Sequence, residues 1–242
     1  MGSGRTLDRV TPLPLTHRVA HRLARTGLRG SSWYWRVARL CQRPPEAGVV
    51  RLPGGMPLMY DPSDWTCRMA YEGTYEREIL RLLDDLLEDG DVVVDVGANV
   101  GIISAHASGL VGPAGRVIAV EPSPRCLGDL HAVTDGLGNV TVVEAALGDE
   151  TRTVDLTGWD NPDHRGLGSV VPEHRAGLAE NWFDGETCKV PQLRLGDLLA
   201  EQLGDEPSIA LLKVDVEGYE PMVLRGAPGL LRDRRVRSVI LE

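Results

Sequence analysis

The chain has 242 residues, a length that suits one large α/β domain with a short appendage. Hydrophobic residues make up 42% of it and charged residues 25%, which is ordinary for a globular protein. The sequence has no apolar run of membrane-spanning length and no apolar signal-peptide core at its amino end. Its four cysteines are scattered, which argues against a zinc site and a disulfide framework and predicts a reducing, cytoplasmic setting.

The net charge of −9 is unevenly distributed. Residues 1–50 carry nine arginines against Asp8 and Glu46, a charge of +7, which leaves −16 for the rest of the chain. An acidic main body argues against a nucleic acid bound along it.

The sequence of residues 1–48 predicts a basic helical arm or cap. A helix starting near Thr16 would place Val19 and Leu23 on one side, and a second amphipathic piece would begin at Trp33. We favour a cap packed on the domain, with its aromatic residues covering the mouth of the cofactor site. The alternative is contact with an anionic membrane surface or a partner.

Residues 49–242 predict the main domain, which opens with a small hairpin formed by residues 49–52 and 56–60. Residues 61–73 are interpreted as a loop. Thr74 is a plausible amino cap for the helix that follows, and Gly90 would end it.

The most informative segment begins with an apolar run at residue 92 that predicts a buried parallel strand. Asp95, Gly97, Asn99 and Gly101 follow in a pattern typical of a strand-to-helix turn. Glycine lets the backbone approach a ligand closely, and the start of the helix offers unpaired N–H donors. This segment therefore predicts a cofactor site.

The identity of the cofactor follows from two residues of that turn. Dinucleotide-binding proteins need a glycine where this chain has Asn99, because the pyrophosphate passes there. Asp95 would also repel a diphosphate, whereas it suits a cofactor that carries an ammonium and a sulfonium. The turn therefore points to S-adenosylmethionine.

A second strand is predicted over residues 116–122, and Glu121 lies near its end. An acid at this offset from the glycine turn accepts hydrogen bonds from a ribose diol. Proteins that bind dinucleotides and proteins that bind S-adenosylmethionine share this feature. It therefore supports the fold but does not distinguish the two cofactors.

The remaining pattern alternates strands and helices, which predicts a parallel sheet with right-handed crossovers and a ligand at its carboxyl edge. Residues 151–156 and 187–193 predict an added β-hairpin on either side of a long polar loop. Further strands are predicted at residues 140–143, 209–218 and 236–241, and helices at 123–134, 194–203 and 219–231.

Three segments together resemble the FkbM family of S-adenosylmethionine-dependent methyltransferases: residues 73–76 (GTYE), 95–101 (DVGANVG) and 213–220 (KVDVEGYE). The resemblance covers residues 70–242 and implies a Rossmann-like class I methyltransferase fold. It also implies O-methylation of a hydroxyl on a sugar, polyketide or other natural product, a small hydroxylated substrate.

The resemblance also assigns cofactor residues. Asp95, Gly97, Asn99 and Gly101 would line the methionine and ribose parts of the cofactor, and Glu121 would hold the ribose hydroxyls. A turn near Ala145 and Ala146 would face the adenine, and Tyr75 and Glu76 would lie close to the same pocket. Members of this family normally finish with two further strands, which have no counterpart after Glu242; an unpaired fifth strand would offer a homo-oligomer interface.

An aliphatic hydroxyl is a poor nucleophile, so a base or a metal should assist the transfer. Three arrangements remain open. Asp215 or Glu217 could act as base with Lys213 orienting one of them, or His164 or His174 could act from the long loop. Alternatively, Asp215, Glu217 and Glu242 could hold Mg²⁺, which prefers oxygen ligands.

Two other classes of function also fit parts of the sequence. A nicotinamide-dependent oxidoreductase would use a similar sheet, but Asn99 argues against it. A non-catalytic cofactor-binding accessory module would use the basic arm to dock a partner or a membrane.

Overall fold

The structure is a computed structural model that describes residues 11–26, 31–53, 55–158, 168–171, 187–204 and 208–242. The chain forms two compact units, divided between Leu82 and Leu83. No helix of the described residues combines the length and apolar composition that crossing a bilayer requires.

The amino-terminal unit combines a small three-stranded sheet with helices. The elements of this unit are β1 (Thr11–Pro12), α1 (Leu15–Arg25), α2 (Ser31–Cys41), β2 (Gly48–Arg51), β3 (Pro57–Tyr60) and α3 (Trp65–Glu72). Strand β2 pairs antiparallel with β3, which confirms the predicted hairpin, and β1 adds to β2 in parallel. Helix α4 (Arg77–Leu86) follows.

Helix α1 buries the face opposite to the predicted one. Val19 is 51% exposed, whereas His17, Ala20, His21 and Ala24 are buried. Both histidines have hydrogen-bond partners in the buried position: His17 bonds the hydroxyl of Tyr71, and His21 Nδ1 lies 2.8 Å from the Tyr71 carbonyl oxygen. The prediction was wrong because satisfied imidazoles and small alanines form the inner face, and the larger apolar residues are left outside.

Helix α3 replaces the loop predicted over residues 61–73. The Asp64 carboxylate accepts a hydrogen bond from the Cys67 N–H at 2.7 Å, which caps the amino end of the helix. Gly73, in the left-handed conformation at φ 72°, ends it. Asp64 and Gly73 were therefore the sequence signals for this helix, and the loop interpretation was wrong.

The carboxyl-terminal unit is built on a five-stranded parallel sheet. Its strands are β4 (Val92–Val96), β5 (Arg116–Val120), β6 (Val140–Val143), β10 (Ile209–Val214) and β11 (Val236–Leu241), and their order in the sheet is β11-β10-β4-β5-β6. Its helices are α5 (Ile102–Val111), α6 (Pro124–Thr134), α7 (Leu195–Leu203), α8 (Glu220–Arg225) and α9 (Pro228–Arg232). The predicted parallel α/β sheet is confirmed.

A second sheet of three strands lies in the same unit, with β7 (Ala146–Gly148) at one edge, β9 (Thr187–Arg194) in the middle and β8 (Arg152–Thr157) at the other edge. Strands β8 and β9 pair antiparallel, which confirms the predicted added hairpin. Strand β7 pairs parallel with β9 where the sequence predicted a turn. A three-residue strand is too short to show the alternation that identifies one in a sequence.

The helix predicted over residues 219–231 is divided into α8 and α9 at Gly226. A Cβ atom at Gly226 would lie 2.1 Å from the Gly148 carbonyl oxygen, so glycine lets this backbone approach β7 closely. Pro228 then begins α9, at a position where a missing N–H costs nothing.

The central strands are buried on both faces. All six residues of β10 are buried, as are four of the five in β4. The register places Asp95 of β4 directly beside Lys213 of β10. Two charged residues therefore lie at the same level of two otherwise apolar strands, close to the carboxyl edge of the sheet.

Candidate functional site

A cavity opens at the carboxyl edge of β4, β5 and β10, entirely within the carboxyl-terminal unit. We call it the edge cavity. Polar groups enter it from the ends of these three strands, and apolar groups enter it from β7 and β8. The residues of its lining that matter for its chemistry are Gly97, Asn99, Glu121, Ala146, Asp215 and Glu217.

The turn after β4 forms one wall of the edge cavity. The N–H groups of Gly97 and Ala98 both donate to the Val120 carbonyl, at 2.9 and 3.0 Å, which ties the turn to the end of β5. Gly97 has φ 81°, and a Cβ there would lie 1.8 Å from the Asp215 carbonyl oxygen. Only glycine fits this position, as the sequence predicted.

Asn99 has φ 51°, which is uncommon for a residue with a side chain. Its N–H donates to Glu121 Oε2 at 2.8 Å. The strained turn is therefore held by the acid at the end of the neighbouring strand.

Glu121 is an acceptor of the edge cavity that backbone N–H groups hold on both carboxylate oxygens. Its second oxygen, Oε1, accepts from the Ser123 N–H at 2.8 Å, and only 7% of the residue is exposed. Burial raises the pKa of Glu121 to about 7, and the hydrogen bonds from Ser123 and Asn99 oppose that rise. Each carboxylate oxygen keeps further acceptor capacity, so Glu121 can accept from a ligand's hydroxyls.

Asp95 does not line the edge cavity. It is fully buried, and the Ser104 hydroxyl donates to its Oδ2 at 2.6 Å. Its other oxygen, Oδ1, has no hydrogen-bond partner among the described residues. Burial raises the pKa of Asp95, and the Lys213 charge opposes this rise. The sequence predicted contact with the cofactor, whereas the structure places the carboxylate beneath the turn.

Gly101 also lies away from the lining. Its φ is 85°, and a Cβ there would lie 2.8 Å from Leu130 Cδ1. Its role in the structure is to let α5 begin close against α6. Ser104, which the sequence analysis missed, could have been found as a hydroxyl residue in the first turn of an otherwise apolar helix start.

Lys213 lies between two of the predicted catalytic and metal-binding acids. Its ammonium is 3.0 Å from Asp215 Oδ2 and 3.5 Å from Glu242 Oε2, and only 2% of the side chain is exposed. Burial raises the pKa of Glu242, and Lys213 opposes this rise. A single ammonium thus lies between two of the three predicted Mg²⁺ ligands, which favours the predicted orienting role of Lys213 over the predicted Mg²⁺ site.

Glu217 lies on the lining in the left-handed conformation, at φ 52°. Burial, together with repulsion from Asp215, raises its pKa to about 7. The Ser169 hydroxyl donates to its backbone carbonyl at 3.1 Å, which helps to hold the strained residue. A carboxyl that titrates near neutral pH can take a proton from a substrate hydroxyl.

The other predicted site residues are distributed differently. Ala146 lies on β7 and lines the edge cavity. Glu76 belongs to the amino-terminal unit, where its carbonyl accepts from the Leu80 N–H at the start of α4. His164 and His174 lie outside the described residues, so their catalytic role stays a prediction. Cys126 and Tyr219 also line the edge cavity and were not predicted.

Comparison with known proteins relates most of the carboxyl-terminal unit to one enzyme family. Residues 95–242 match a family model described as the methyltransferase FkbM domain. The chain is 33% identical over 178 residues to methyltransferase sdnD of Sordaria araneosa, a match that covers 64% of this chain and 67% of that protein.

Two further relatives have names that describe their substrates. Hexuronic acid methyltransferase AglP of Haloferax volcanii is 30% identical over 167 residues, covering 69% of this chain and 62% of that protein. The 31-O-demethyl-FK506 methyltransferase FkbM of Streptomyces tacrolimicus is 31% identical over 179 residues, covering 64% of this chain and 66% of that protein. The matches thus span between 62% and 67% of each of these relatives.

Proposed function

The chain belongs to the FkbM methyltransferase family, and from this premise we propose that it transfers a methyl group from S-adenosylmethionine to a substrate hydroxyl. The substrate class that we propose is a sugar or another hydroxylated natural product. A hexuronic acid in the name of one relative and 31-O-demethyl-FK506 in that of another support this choice.

The charge of the edge cavity is the observation that carries the proposal. Its described lining contains the carboxyl groups of Glu121, Asp215 and Glu217 and no arginine or lysine side chain. A lining of this kind repels phosphates and attracts a cation. It therefore favours S-adenosylmethionine, which has a positive charge and no phosphate, over nicotinamide dinucleotides.

The residues of the edge cavity fit this cofactor in two respects. Glu121 offers acceptor capacity on a carboxylate that backbone N–H groups already hold in place, which suits a ribose diol. Gly97 keeps the backbone of the turn free of a side chain.

The bound cofactor supplies the activated methyl carbon, and the protein supplies alignment and proton removal. Glu217, with its pKa near neutrality and its position on the lining, is our proposed base. The Lys213 ammonium donates to Asp215 Oδ2 at 3.0 Å, which holds that carboxylate in a fixed orientation. Together these residues bind the substrate hydroxyl and take its proton.

Calorimetric titration with S-adenosylmethionine tests the cofactor assignment. We expect Glu121→Ala to weaken binding by about tenfold or more, because hydrogen bonds to a charged group are lost. Glu144→Ala is the matched control, since Glu144 pairs with His131 on the surface. A parent protein that does not bind, or equal affinities of the two variants, would contradict the assignment; circular dichroism checks that both fold.

Transfer of a labelled methyl group to a panel of hydroxylated glycosides tests the base. We expect Glu217→Gln to lower kcat by about 100-fold or more, the usual contribution of general base catalysis, while the affinity for the cofactor is retained. A kcat equal to that of the parent protein would exclude Glu217 as the base.

A further inference from the structure

Helices α1 and α2 each expose a row of large apolar side chains. In α1 the row is Leu15 and Val19, which are 70% and 51% exposed. In α2 it is Trp33, Val37 and Leu40, of which Trp33 and Leu40 are 62% and 86% exposed. Their spacing of three and four residues puts the members of each row on one helix face. We call these five residues the apolar rows.

The opposite faces of both helices are fixed in the interior of the amino-terminal unit. In α1, His17 Nε2 lies 2.9 Å from the Gln42 carbonyl oxygen, and its other ring nitrogen bonds the Tyr71 hydroxyl. In α2, Trp35 is buried and its indole N–H donates to the Glu72 carbonyl at 3.0 Å. Rotating either helix to bury its apolar row would leave these polar groups without partners. The apolar rows are therefore a stable surface feature.

Arginines accompany the apolar rows. Arg18 and Arg22 lie within one turn of Val19 in α1, and Arg36 lies between Trp33 and Val37 in α2. All three arginines are exposed. Among the described residues between positions 11 and 50 there are six arginines and one acid, so the field around the apolar rows is positive.

We propose that α1 and α2 dock on a lipid surface that carries negative charge. Apolar side chains that project from a basic helix face insert into the headgroup boundary, while the arginines bind anionic headgroups. Self-association through the same surface would bring two positive faces together, which costs free energy. Charge therefore selects an anionic partner, and the projecting tryptophan and leucine suit the interface of a bilayer.

Vesicle flotation of the full chain tests this surface, and it requires no methyl-transfer activity. We expect the protein to float with phosphatidylcholine vesicles that contain about 30% phosphatidylglycerol, not with phosphatidylcholine alone, and to be released by salt. The double variant Trp33→Glu with Leu40→Glu should lower the partition coefficient by about tenfold or more. Replacing Arg36 by Gln should lower it by about fivefold.

Leu231→Glu is the matched control, because Leu231 is 47% exposed on α9 in the other unit. It should float like the parent protein. The proposal is overturned if the parent binds neither vesicle, or if the double variant floats as well as the control. It is also overturned if sedimentation velocity shows that the double variant dissociates an oligomer without any change in vesicle binding.

Discussion

The buried ammonium of Lys213 gives the sharpest test of the charge arrangement in the carboxyl-terminal unit. Replacing Lys213 by Met keeps the bulk of the side chain and removes the charge that faces Asp95, Asp215 and Glu242. Removing one partner of a buried ion pair costs about 3–5 kcal/mol, because the other charges lose their compensation. For a protein of this size we expect the Tm to fall by roughly 10 °C.

The chain contains one other lysine, which provides the control. Lys189 pairs with Asp155 at 3.0 Å, but its side chain is 77% exposed. Lys189→Met should therefore change the free energy of unfolding by less than about 1 kcal/mol. Urea unfolding of both variants and of the parent, followed by circular dichroism, gives the comparison.

The loss of unfolding free energy in Lys213→Met should also depend on pH, which gives a second criterion. Burial already raises the pKa of Asp95 and of Glu242, and Lys213 opposes both shifts. Without Lys213 these carboxyls bind protons more tightly in the folded state than in the unfolded state, so they stabilise the fold at low pH and that contribution is lost as the pH rises. The loss of unfolding free energy should shrink as the pH falls from 8 to 5. A loss no larger than that of Lys189→Met, or one independent of pH, would refute the reasoning.

Three further predictions concern single residues. Glu217→Gly should raise the free energy of unfolding by about 1 kcal/mol, because glycine adopts φ 52° without strain. The same variant should lose methyl transfer. Urea unfolding that shows a less stable variant would contradict the predicted gain in stability. Burial lowers the pKa of His21 to about 4, so the unfolded state binds more protons than the folded state below pH 6.5. The free energy of unfolding should therefore be highest above pH 6.5 and fall by about 3 kcal/mol towards pH 4. Urea titrations at several pH values should show this slope in the parent protein and not in His21→Gln. Burial raises the pKa of Glu121 to about 7, so this carboxylate is neutralised as the pH falls from 7.5 to 6. The affinity for S-adenosylmethionine, measured by calorimetry, should fall about eightfold over this range. An affinity that does not change with pH would show that Glu121 does not hold the ligand.

The parallel sheet and the glycine turn could be predicted because their signals are local. An apolar run followed by Gly97, and an acid after the next apolar run, fix two strands and the turn between strand and helix. Positive φ at Gly97 and the burial of Glu121 at the end of β5 are the physical outcomes of those patterns.

The position of Asp95 could not be predicted in the same way. The residue lies inside β4, one position before its end, so its side chain points to a face of the sheet that α5 covers. Its neighbours in space, Ser104 and Lys213, come from a helix and from a strand more than a hundred residues later. The pairing of strands that are distant in the sequence decides whether such an acid lines a cavity or is buried behind its wall.

The inner face of α1 was mispredicted for a related reason. Hydrophobic periodicity assigns Val19 to the interior, but histidine and alanine can fill an interior when partners such as Tyr71 satisfy the ring nitrogens. Those partners are about fifty residues away in the sequence. A periodic pattern carries no information about them.

The most direct test of the account compares two nucleotides on the intact protein. The carboxylates of Glu121, Asp215 and Glu217 should admit a positively charged nucleoside and exclude one that carries phosphates. We predict that S-adenosylmethionine raises the Tm of the protein and that NAD leaves it unchanged at the same concentration and salt. A Tm raised by NAD and left unchanged by S-adenosylmethionine would contradict the account.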